Sequence, residues 1–126
     1  MPPEALWVAL GAAVALAFLA VGPRKRARAA RVWWAAGLVV AQLLHVVFAF
    51  GDGLGGLALQ AVGVVAFAAF ARAGVSGRSA WLAAGWLLHP AWDLGLGHSA
   101  PAWYVWACLG FDVVVGAVLY LRAVRR

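Results

Sequence analysis

The sequence predicts an all-α fold: a polytopic membrane bundle of five transmembrane helices, N-terminus outside and C-terminus cytoplasmic. Three observations lead there. First, the chain of 126 residues is 67% hydrophobic and only 11% charged, whereas a soluble domain carries about 25% charged residues. It lacks the polar side chains to cover a surface facing water. Second, the apolar residues gather into five runs, each within the roughly 17–25 residues a helix needs to cross hydrocarbon. Third, all ten Lys and Arg residues fall in alternate gaps between those runs and after the last one. The positive-inside rule makes that side cytoplasmic.

The first span is expected at about 5–21, closed by Gly22-Pro23, a helix stop. A basic loop with Arg24, Lys25, Arg26, Arg28 and Arg31 follows. The second span, about 32–50, ends at Gly51-Asp52-Gly53, a turn. The third covers about 54–71. Arg72 and Arg78 flank the short connection to the fourth, about 79–96. The fifth, about 102–121, is followed by Arg122, Arg125 and Arg126. An unpaired strand cannot cross lipid, so each run is read as helix. Glu4 precedes the first run and the basic cluster follows it, the reverse of a secretory signal. No cleavable signal is expected.

The net charge of +6 does not point to nucleic acid, because the basic residues only flank apolar runs, as membrane anchors do. Cys108 is the single cysteine, which excludes an intramolecular disulfide. The chain reads as one transmembrane domain, 1–126. Within it, Trp33-Trp34-Ala35-Ala36-Gly37 resembles Trp81-Leu82-Ala83-Ala84-Gly85 at an offset of 48 residues. That offset also pairs His45 with Asp93 and Gln60 with Cys108. It outlines a parallel two-helix repeat, 32–72 and 80–121, against the alternative that common residues coincide by chance.

The polar residues inside the spans are the candidate site. Ionisable groups in a membrane span are costly and mark function by default. His89 and Asp93, four residues apart, share one helix face. At about 1.5 Å of rise per residue, His45 lies about 7 Å from the outer end of its span, with Gln60, Asp93 and Cys108 at comparable depth. His89 and Asp112 lie about 12–15 Å in by the same rise, and Gln42 sits one turn from His45. The inner halves of the spans are almost wholly apolar. Pro90 removes a helix hydrogen bond beside His89 and predicts a kink with the carbonyl of Trp86 freed. His98 lies in the outer turn, near the mouth of such a site. The bland reading stands beside this one: these groups are interhelical packing contacts, and Cys108 is a small packing residue. Trp7, Trp33, Trp34, Trp81 and Trp103 fit interfacial belts. Trp86, Trp92 and Trp106 are expected in the core.

His89-Pro90-Ala91-Trp92-Asp93, His98, Pro101-Ala102-Trp103-Tyr104, Cys108-Leu109-Gly110-Phe111-Asp112 and Tyr120 together carry a resemblance. Over residues 78–121 the chain resembles a family of small uncharacterised bacterial integral membrane proteins. The resemblance implies a bacterial integral membrane protein and brings no activity with it; the five-helix reading puts the expected location in the inner (cytoplasmic) membrane, multi-pass.

The resulting expectation is a small integral membrane protein with an outward-facing intramembrane His/Asp site. Its residues are His45, Gln60, His89, Asp93 and Asp112. The site would bind a metal ion, a proton or a small ligand. Imidazole with carboxylate suits a divalent metal ion such as zinc, iron or manganese, and His45, His89 and Asp93 are the candidate ligands. The alternatives are a membrane-embedded, metal-dependent hydrolase of lipid-like substrates, or a transporter or structural subunit of a homo-oligomer packed through glycine-rich faces such as 51–63. The three serines, Ser76, Ser79 and Ser99, lie in no nucleophile elbow, which argues against a serine hydrolase. The lipid bilayer is the expected partner.

Overall fold

A computed structural model of the chain describes residues 2–24 and 26–125. Lys25 and Arg126, both counted above among the basic residues, lie outside the described residues. The described chain is all-helical: α1 (Pro3–Val21), α2 (Ala27–Phe48), a 3-10 turn (Ala49–Asp52), α3 (Gly53–Ser76), α4 (Ala80–Gly95) and α5 (Ala102–Val124). Three helical stretches are long and apolar enough to cross a membrane: Pro3–Val21, Ala27–Ser76 and Ala102–Val124. The middle stretch folds back at the 3-10 turn, so α2 and α3 pack side by side within it. The reversal needs Gly53, whose φ of 78° lies where a side chain would clash with its own backbone. α4 has 16 residues, about 24 Å of helix.

Two boundaries differ most from expectation. α2 begins at Ala27, so Arg28 and Arg31 stand in its first turns and not in a loop. α3 runs on to Ser76 and carries Arg72 within it. Ala and Arg are strong helix formers, and leaving an apolar run gives them no reason to stop a helix. At the other end of α1, proline in its first turn and Glu4 suit a helix N-terminus.

α4 is the hub, packed on α2, α3 and α5; α1 packs on α5. Gly11 and Gly110 bring α1 and α5 into backbone contact: a side chain on either would overlap the backbone of Ala107 or Val8. Small residues of this kind let helices approach closely where lipid supplies no hydrophobic drive.

The bundle has two distinct ends. At one, Trp33 donates from Nε1 to the Phe18 carbonyl, Arg31 to the Gly77 carbonyl, and the Arg122 guanidinium lies 5.6 Å from the Trp34 ring centre. Every described arginine belongs to this end. At the other, Trp7 meets Trp103, and Ser99 donates to the Asp52 carboxylate, joining the two turns there. Between them, Leu38, Leu82, Trp86 and Val115 are fully buried and form an apolar core, which places Trp86 where expected. The outer surfaces are apolar too: Leu54 is 85% exposed and Val65 72%. Apolar outside with polar groups inside is the arrangement of a protein solvated by lipid.

Candidate functional site

Six polar side chains are sealed in the half of the bundle away from the arginines. Gln42, His45, His89 and Asp112 are fully buried; Gln60 and Asp93 nearly so. They come from four helices. α2 supplies Gln42 and His45 one turn apart, α3 supplies Gln60, α4 supplies His89 and Asp93 one turn apart, and α5 supplies Asp112. Each helix turns these side chains inward because its other faces are apolar and face outward.

The contacts form one network. His45 Nε2 lies 2.5 Å from Asp93 Oδ1. His89 Nδ1 lies 2.7 Å from Asp112 Oδ2 and 3.4 Å from Asp93 Oδ2, the latter too poorly aligned for a hydrogen bond. On its other side, His89 Nε2 lies 3.2 Å from Gln42 Oε1. Gln42 Nε2 reaches the Gln60 carbonyl and Gln60 Oε1, each at 3.3 Å. Trp92 Nε1 donates to Gln60 Oε1 at 2.9 Å, and Gln60 Nε2 donates to the Leu96 carbonyl at 2.7 Å.

The direction of these bonds follows from one group. An indole N–H donates and cannot accept. Gln60 therefore turns its oxygen to Trp92 and its nitrogen to the Leu96 carbonyl. Gln42 must then offer nitrogen to Gln60 and oxygen to His89. His89 Nε2 consequently carries a hydrogen. Its Nδ1 edge faces the two carboxylates and shares a proton with Asp112.

Three atoms in the centre have no hydrogen-bond partner: His45 Nδ1, Asp93 Oδ2 and Asp112 Oδ1. Buried polar atoms in proteins are nearly always paired, so each such exception calls for an explanation. The aromatic wall is close. Tyr104 stands edge-on to His45 with ring centres 5.5 Å apart and donates to the Ala41 carbonyl at 2.9 Å. Phe67 stands edge-on to His89 at 4.9 Å. Over the top, Gly97 leaves no room for a side chain against the His45 ring and the Asp93 backbone.

All five residues expected in the polar site, His45, Gln60, His89, Asp93 and Asp112, meet here. One ligand atom each from His45, His89 and Asp93 can be chosen so that all lie within 4.8 Å of one another, the same three named as candidate ligands from the sequence. Pro90 is buried next to His89, and α4 continues past it to Gly95. His98 is exposed and belongs to none of these contacts. Cys108 is a half-buried free thiol. Sequence reasoning placed Gln42 beside His45 without making it the bridge to His89. It missed Trp92 and Tyr104 as polar partners, whose amphipathic rings suit a core or an interfacial belt equally well. No protein-family model, curated protein or solved structure matches the chain.

Proposed function

We propose that this is a five-span protein of the bacterial inner membrane that binds a divalent metal ion in the outer half of its bundle. His45, His89 and Asp93 would be the ligands, with Asp112 beside them. The observation that carries this reading is convergence. Three ligand atoms from two helices approach within 4.8 Å in a fully buried setting, and two carboxylate oxygens there lack partners. A divalent cation supplies the charge such oxygens require. His89 has the support a metal-binding imidazole has in other proteins, because its Nε2–H points at Gln42 Oε1. Three protein ligands leave a fourth position for water or substrate, which keeps a metal-dependent hydrolase of lipid-like substrates within the chemistry of the site.

The segregation of arginines supports an orientation with that end in the cytoplasm and the N-terminus outside. The resemblance of residues 78–121 to small bacterial membrane proteins supports the location. Proton binding is a second reading, supported by the short contacts of His45 with Asp93 and of His89 with Asp112. The apolar core of Leu38, Leu82, Trp86 and Val115 offers no onward path to the arginine end, which speaks for storage or local transfer over flux. Gly51, Gly53 and Gly55 have nothing near them, leaving that face free for a second copy in a homo-oligomer.

The domain reading is also a proposal: 32–72 and 80–121 as copies of one two-helix unit. Burial supports it. Trp34, Ala35, Leu38, Gln42 and His45 are buried on α2, and so are Leu82, Ala83, Trp86, Pro90 and Asp93 on α4, each 48 residues later.

The test is elemental analysis by mass spectrometry of the purified, detergent-solubilised protein. About one zinc-class ion per chain is expected, lost in His89→Ala/Asp93→Ala. The milder Asp93→Asn keeps the shape and should lose the ion while preserving the folded elution profile. No metal in the parent, even after incubation with zinc, would overturn the metal reading.

A further inference from the structure

The arginine end carries a second feature, unconnected with the His/Asp centre. Between α2 and α3 runs a groove of about 580 Å³, with Ala35, Ala36 and Ala71 along it and Arg28 and Arg72 beside it. Both arginines are exposed. The remaining lining is apolar except for Ser76, whose hydroxyl is turned back to the Arg72 carbonyl.

No arginine among the described residues is paired with a carboxylate: every ion pair there involves a histidine. The reason lies in the sequence. The four acidic residues are Glu4, Asp52, Asp93 and Asp112. Two sit in the buried centre, and Glu4 and Asp52 belong to the far end of the bundle. No acidic side chain of the chain stands at this end to neutralise the arginines.

We infer that the α2–α3 groove binds an anionic glycerophospholipid, its acyl chain along the alanines and its phosphate on Arg28 and Arg72. A groove that is apolar along its length and cationic at one end matches an amphiphile with that polarity. Basic pockets between spanning helices on the cytoplasmic side take anionic headgroups for this reason. Small side chains leave the trough open where larger ones would fill it. The inference rests on the membrane reading above, and the metal centre has no part in it.

Native mass spectrometry of the full chain in mild detergent tests it, with phosphatidylglycerol and phosphatidylcholine of identical acyl chains titrated in competition. The wild type should retain phosphatidylglycerol preferentially. Arg28→Gln/Arg72→Gln should lower that preference by about thirtyfold, from two surface arginines acting together. Arg78→Gln/Arg125→Gln removes the same charge away from the groove and should leave the preference within about twofold, the scale of a single weak contact. Ala36→Leu keeps every charge, changes an exposed position, and should reduce retention by filling the trough.

Equal retention of the two lipids overturns the proposal, and so does an equal loss in both double variants, which would mean net charge alone. Displacement of the lipid by inorganic phosphate would assign the arginines to a free anion and overturn it too. Release of the chain from membranes by an alkaline wash would overturn the membrane reading and this inference together. A chain retained through the wash without lipid preference overturns this inference alone.

Discussion

Gln42 is the residue on which the polar network turns. It is the partner of His89 Nε2 and, beside Trp92, the second donor to Gln60 Oε1. Replacing it with leucine leaves the His89 N–H buried and unpaired, at a cost of about 1–3 kcal/mol. Thermal unfolding in detergent should show that loss. Trp92→Phe should cost less, about 1 kcal/mol, because Gln60 Oε1 still accepts from Gln42. A larger loss for Trp92→Phe than for Gln42→Leu would mean the network is ordered differently. His45, His89, Asp93 and Asp112 were legible in the sequence because an ionisable residue inside an apolar run is anomalous wherever it points. Which of them touch was not legible: pairs such as His45 with Asp93 lie on different helices, and their contact depends on how α2 rotates against α4. Tyr104 and Trp92 were hidden for another reason. A tryptophan or tyrosine in a membrane segment has several ordinary roles, and its position in the sequence does not choose among them.

Among the elements, α1 is the one whose packing partner could not be read. It has no polar side chain inside its span, and it contributes nothing to the His/Asp centre. Its packing on α5 depends on Gly11 and Gly110, two small residues in a sequence with 15 glycines, so the pattern does not stand out. Gly110→Val forces the two backbones apart and should destabilise the protein by about 1–3 kcal/mol, read as a lower unfolding temperature. Metal content should stay unchanged, because Asp112 lies on the face of α5 turned to α4. Loss of metal in this variant would show that α1 also holds the centre in shape. The helices themselves were legible from run length and hydropathy. Their ends at α2 and α3 were not, because helix propensity continues through arginine and alanine after the apolar run has stopped.

For the molecule as a whole, the clearest signal in the sequence was the distribution of charge, which places residues distant in the chain at one end of the bundle. The side of the membrane this end faces is a matter for reporter fusions. A cytoplasm-dependent reporter joined after the C-terminus should be active, and one inserted at 51–56 inactive. The opposite pattern would reverse the proposed orientation and put the centre on the inner side. The same segregation makes the molecule responsive to a field. A resting membrane is negative inside, and moving one charge through it is worth about 2.3 kcal/mol per 100 mV. Arg24, Arg26, Arg28, Arg31, Arg72, Arg78, Arg122 and Arg125 stand together, so in the proposed orientation turning the bundle over would work against roughly 18 kcal/mol per 100 mV on that figure. An energised membrane would thus hold this protein in one orientation by voltage as well as by hydrophobicity, and a de-energised one by hydrophobicity alone.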